Sequence, residues 1–135
     1  MYLLDTDILS NLMRRVPPSY LISRLARVPP GEQFTSSVTL GELVYGALRS
    51  DRAAVLLERI EVVVPTELPV LPFDAAAARR YGEVRADLKR KGTPIGDADL
   101  RIAAIALSRG LTVVTANERH FGRIVDLPVE NWMEG

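Results

Sequence analysis

A chain of 135 residues has room for one hydrophobic core, and its 47% hydrophobic content argues against disorder. It has no cysteine, which excludes disulfides and thiolate metal sites, and seventeen acidic residues balance seventeen basic ones, so net charge gives no pull toward nucleic acid. The start, Met1-Tyr2-Leu3-Leu4-Asp5, has no basic region and no long apolar run, so a single domain over residues 1–135 with no signal peptide, no membrane partner and a cytoplasmic location is expected.

Tyr2-Leu3-Leu4 is a short apolar run that reaches Asp5-Thr6-Asp7, and Ile8, Leu9, Leu12 and Met13 follow at helical spacing. This reads as strand, tight turn, helix, with Asp5 at the carboxyl end of the strand, where open α/β sheets bind ligands. Asp7, or Asp5, is the natural cap of that helix, and Asp7 is read mostly as the cap. Val16-Pro17-Pro18 ends it, and a second helix runs from about Ser19 to Val28. Gln33–Ser36 reads as a second strand and Ser37 onward as another helix. Thr39 and Glu42 have the spacing of a capping box. Gly41 and Gly46 each cost this helix ~1 kcal/mol against Ala, which suggests that a helix or a partner packs closely there.

Asp51 is placed to cap a helix running to about Glu61, closed by Val62-Val63-Val64-Pro65. The prolines around Leu68–Pro72 make that piece an edge strand or a connector. Asp74–Arg90 is the longest helical pattern. It carries Arg79, Arg80, Arg85, Lys89 and Arg90, with Lys91 following, as a solvated face or an RNA-facing rim, and Gly92 stops it. Pro94 and Gly96 precede Asp97, which can cap a helix whose Leu100, Ala103, Ala104 and Leu107 form a stripe with Ile102, Ile105 and Ala106 beside it. So wide an apolar surface belongs in a core. Arg109-Gly110 ends it, and Leu111–Thr115 reads as a buried strand leading into Ala116-Asn117. Ile124-Val125 and Pro128–Glu130 are expected as one more short strand near the sheet edge.

Strands alternating with helices imply α/β architecture with a mostly parallel sheet. Right-handed crossovers then bring Asp5, Glu42, Asp97, Asp99 and Asn117 to one sheet edge. Capping alone does not require that convergence. Carboxylates at close range repel unless a cation joins them, and hard oxygen donors with one histidine and no cysteine suit Mg²⁺ or Mn²⁺. Such a site suits phosphodiester hydrolysis.

Leu-Leu-Asp5-Thr6-Asp7, Thr39-Leu-Gly-Glu42-Leu-Val-Tyr-Gly46, Ile95-Gly96-Asp97-Ala-Asp99-Leu-Arg-Ile-Ala-Ala and Val-Val-Thr115-Ala-Asn117-Glu-Arg-His-Phe121 together resemble PIN-domain ribonucleases of the VapC toxin type, and Leu127–Trp132 fits as well. The resemblance spans essentially the whole chain. It implies a three-layer α/β/α sandwich and a Mg²⁺- or Mn²⁺-dependent endoribonuclease that leaves 5′-phosphate and 3′-hydroxyl products. It also implies a homodimer, open to larger assemblies, restrained by a VapB-type antitoxin. By position, Asp5, Glu42 and Asp99 match the core acids, Asp97 is a fourth ligand or a cap, and Asn117 stands where many members carry Asp. Thr115 would support that corner, Thr6 would orient water or a carboxylate, and Arg119, His120 and Arg123 would face the RNA backbone. Two alternatives stand beside this reading: a haloacid-dehalogenase-like phosphatase with Asp5 as nucleophile, and a binding module that keeps its acids as caps.

Overall fold

The computed structural model describes residues 1–64 and 68–133, and in it the short apolar runs become five strands of one parallel sheet. β1 (Tyr2–Leu4) leads to α1 (Thr6–Leu12) and α2 (Ser19–Ala26), then β2 (Gln33–Ser36), α3 (Ser37–Arg49), α4 (Ala53–Val63) and β3 (Val70–Leu71). α5 (Ala75–Arg90) and α6 (Asp97–Arg109) follow, then β4 (Thr112–Val114), α7 (Glu118–Phe121) and β5 (Val129–Glu130). Every strand pair is parallel, in the order β3-β2-β1-β4-β5. The chain steps outward from β1 to β3 and returns across the sheet to β4. Crossovers of one hand that reverse direction put their helices on opposite faces, which yields the three layers. It also makes the gap between β1 and β4 the topological switch point.

Side chains alternate across each strand, so β1 and β4 feed two cores at once. Leu3 and Val113 pack with Val84, Leu88, Leu100 and Ile102 of α5 and α6. Leu4 and Val114 pack with Ile8, Leu21, Leu43 and Ile60 of α1–α4 and with Trp132. Leu100 and the run from Ile102 to Ala106 are buried, as the wide apolar surface of α6 requires. α6 ends at Gly110 with φ of 67°, a left-handed position that glycine adopts without strain.

Helix starts depart from expectation in four places. Asp5, not Asp7, caps α1 by accepting from Ile8 N–H. Ser36, the last residue of β2, caps α3 by accepting from Thr39 N–H, so Thr39 and Glu42 form no capping box. α4 starts after Arg52 and α6 after Gly96, neither with a side-chain cap, so Asp51 and Asp97 do not cap. Asp74 does cap α5. A methyl group built on Gly41 or Gly46 meets nothing within 4 Å, so among the described residues nothing packs closely against them. Ile124-Val125 lies in the turns after α7, and only Val129–Glu130 joins the sheet edge. Pro65 lies outside the described residues. On α5, Arg80 pairs with Glu83, and Arg90 and Lys91 pair with Asp87, which uses part of the basic face within the helix itself.

Candidate active site

β1 runs directly into Asp5, whose backbone N–H still bonds to the Val114 carbonyl of β4, so the residue is fixed at the switch point. The residue is 2% exposed. Its carboxylate accepts from Ile8 N–H at 3.0 Å, and this bond and the neighbouring Thr115 side chain favour its charged form, yet burial outweighs both and pushes its pKa up to about 7. Asp7 and Asp99 add charge repulsion in the same direction. Thr115 is itself held by accepting from Asn117 N–H at 2.8 Å, so the end of β4 props the end of β1.

Asp99 reaches the same place from the first turn of α6. Burial raises its pKa, and Asp7 and Glu42 push the same way. His120 on α7 opposes them, with Nδ1 3.7 Å from the Asp99 carboxylate. That Nδ1 also lies 2.8 Å from the Asn117 side-chain amide, which holds the ring against the end of β4. Glu42 enters from α3, where it accepts from the Thr6 hydroxyl at 2.5 Å. Five elements thus deliver Asp5, Asp7, Asp99, Glu42, Asn117 and His120 to one mouth.

Asp97 goes elsewhere. Two residues along a helix turn the side chain by about 200°, so Asp97 and Asp99 leave α6 on nearly opposite faces. Asp97 accepts from Tyr81 O–H at 2.5 Å and from Arg101 Nε at 2.7 Å, and these bonds lower its pKa. Arg123 donates to the Pro94 carbonyl, and Arg119 is exposed. Sequence reasoning gave Asp7 away as a cap and missed Ser36 and the hydroxyl of Thr39. The available signal was spacing: Asp5 sits three residues before Ile8, the geometry of a cap, which leaves Asp7 free.

Among the described residues no three acids converge within common ligand distance. The donor set still fits a hard divalent cation, because the mouth offers carboxylate, amide and hydroxyl oxygens, and neighbouring acids raise the carboxyls of both Asp5 and Asp99. Mg²⁺ commonly takes one or two carboxylates and keeps its remaining water, which an open mouth permits.

Comparison with known proteins points the same way. The PIN domain family matches residues 2–127. The chain is 41% identical over 131 residues to the tRNA(fMet)-specific endonuclease VapC of Shigella flexneri, covering 97% of each. Its fold is similar to VapBC2 from Rickettsia felis bound to a promoter DNA fragment, with TM-score 0.90, 32% identity and coverage of 97% and 98%. It is equally similar to DNA-bound VapBC from Salmonella typhimurium, with TM-score 0.90, 39% identity and coverage of 97% of each. The phosphatase alternative finds no support there, and neither does the binding module, since the relatives are named as ribonucleases or endonucleases.

Proposed function

The chain belongs to the PIN-domain family, and we propose that it is the endoribonuclease toxin of a toxin–antitoxin pair, dependent on Mg²⁺ or Mn²⁺. The observation that carries this reading is the nearly fully buried Asp5 at the switch point, facing Asp7 and Asp99 with its carboxyl raised to about 7. An isolated buried carboxylate is costly, and one raised further by the charges of Asp7 and Asp99 calls for positive charge from outside the chain.

Asp5 and Asp99 would hold the cation, with Glu42 and Asn117 completing the donors. When bound, the cation lowers the pKa of attacking water and offsets charge on the phosphoryl group. Ile8 N–H fixes the Asp5 carboxylate, with Thr115 beside it, so it need not reorganise as RNA arrives. Asn117 holds the His120 ring at the rim near Asp99, where it and the exposed Arg119 would face the RNA backbone. Such a protein would meet its RNA and its antitoxin in the cytoplasm, and would act as a homodimer.

The antitoxin has a natural seat. A groove of about 310 Å³ between α1, α3 and α4 has an apolar floor of Met13, Leu43, Leu56 and Ile60, with Arg14 and Arg52 on its walls. It runs up to Glu42, so an apolar segment with acidic flanks would fill it beside the acidic mouth.

The test is cleavage of tRNA(fMet) and of other tRNAs by purified protein with Mg²⁺, with Mn²⁺ and with chelator, beside Asp5→Asn and Asp99→Asn preparations. Metal-dependent cuts that vanish in both variants are the expected result. Cuts that persist in the variants, or no cuts on any RNA by folded protein, would overturn the reading.

A further inference from the structure

We propose that Ser36, Thr39 and Thr6 form a one-directional hydroxyl chain that positions the Glu42 carboxylate at the mouth. Ser36 Oγ lies 3.2 Å from Thr39 Oγ1, Thr39 Oγ1 lies 3.2 Å from Thr6 Oγ1, and Thr6 Oγ1 lies 2.5 Å from Glu42 Oε1. Each hydroxyl has a single proton, and the ionised carboxylate only accepts. Thr6 therefore donates to Glu42, which leaves its lone pairs for the Thr39 proton, and Thr39 in turn accepts from Ser36. Ser36 closes the far end by accepting from Thr39 N–H at 3.0 Å. Every proton in the chain points toward Glu42, and bonds aligned in this way polarise one another.

A capping role does not account for this arrangement. Capping of α3 uses only the Ser36 lone pair that takes Thr39 N–H, and it requires neither the Thr39 nor the Thr6 hydroxyl. Ser36 and Thr39 are both 0% exposed, so bulk water cannot replace a lost partner. Glu42, in contrast, is exposed and would sample several rotamers without a fixed donor. The chain spans the first turns of α1 and α3, and so carries the spacing of β1 and β2 into the position of the acid that faces Asp99. Ser36, Thr39 and Thr6 are positioning residues in this account.

The inference rests on the nuclease reading only for what Glu42 serves, so its first readout is independent of metal and RNA. Three-bond couplings of the Glu42 β-protons in metal-free protein should report one dominant χ1 rotamer in the wild type. Rotamer averaging is expected in Thr6→Val and Thr39→Val, and recovery in Thr6→Ser and Thr39→Ser. Mn²⁺ binding followed by electron paramagnetic resonance should weaken about ten- to hundredfold in the valine variants, the size typical of losing an outer partner of a metal ligand. Thr39→Val added to Glu42→Gln should cost no further affinity, because both remove one coupled unit. A single Glu42 rotamer retained in folded Thr6→Val and Thr39→Val would overturn the proposal. Equal averaging in the wild type would do the same. Wild-type protein with an ordered Glu42 that binds no Mn²⁺ would count against the nuclease reading and leave the hydroxyl chain standing.

Discussion

The first turn of α6 sends two carboxylates to two unlike neighbourhoods. Asp99 enters a mouth where Asp7 and Glu42 repel it and burial raises its pKa. Asp97 enters a shell of cations and aromatic rings: it is paired with Arg101, Tyr81 donates to it, and Arg85 donates to the Tyr81 hydroxyl at 3.1 Å. The Arg101 guanidinium lies over the rings of Phe73 and Tyr81 at 5.2 and 5.3 Å. One acid is short of positive charge and the other is saturated with it. The same side chain, on the same turn, is therefore left facing like charge in one place and is part of a finished surface cluster in the other.

Removing a carboxylate from the mouth should have the largest effect. Asp5→Asn and Asp99→Asn are each expected to lower kcat/KM by more than the ten- to hundredfold cost of losing an outer partner, about three orders of magnitude. The folded state should survive, because Asp5→Asn keeps an oxygen for Ile8 N–H and relieves charge repulsion. Single-turnover cleavage with a thermal melt on the same preparation checks both halves. Cleavage at the wild-type rate by Asp99→Asn would erase the contrast between the two acids.

The next effect comes from acidity. Asp5 has a folded pKa of about 7 against an ordinary 3.8, so the folded chain binds more protons than the unfolded chain between those values. The associated stability is full below the unfolded value and is lost as pH rises through about 7. It amounts to a few kcal/mol, on the order of 1.4 kcal/mol per pKa unit. Metal-free protein should accordingly melt lower at about pH 8 than at about pH 5.5, and Asp5→Asn should flatten that slope. The lowered values of Asp97 and Asp87 act at more acidic pH and leave this window unchanged. Mn²⁺ competes with the Asp5 proton, so it should raise Tm more at the higher pH. Equal Mn²⁺ shifts at both values would show that the cation does not reach Asp5.

How much of this was legible in the chain itself follows from the length scale of each interaction. The strand–helix alternation, the burial of α6 and the edge position of β3 are written in periodicity and proline placement, which act over a few residues. Asp5 and Asp99 were legible because topology sends strand ends and helix starts to one edge. The caps were less so: Asp5 and Asp7 both suit an N-terminus, and only the backbone conformation at Asp5, extended with ψ of 179°, chooses between them. Ser36 ends a strand and caps the next helix at once, a double use that no spacing rule announces. The hydroxyl chain joins residues 33 and 36 positions apart, and the Asp97 shell depends on Tyr81 from another helix. Contacts of that kind exist only once the layers have assembled.

The smallest effect is expected at Asp97, and there the comparison is sharpest. Asp97→Asn keeps one acceptor, for the Tyr81 hydroxyl, and loses both the charge and the acceptor facing Arg101, which is itself open to solvent. Exposed pairs contribute little to stability, so the melt should move slightly and cleavage should stay within about twofold of wild type. Tyr81→Phe tests the same shell from the other side, since it removes the donor and keeps the ring that Arg101 covers. If Asp97→Asn instead matched Asp99→Asn in lost cleavage, the rotation of the α6 start would have to change when metal and RNA bind, swinging Asp97 into the mouth. Tyr81→Phe would then free Asp97 for that movement and raise Mn²⁺ affinity, whereas an outer, finished cluster predicts no change in affinity at all.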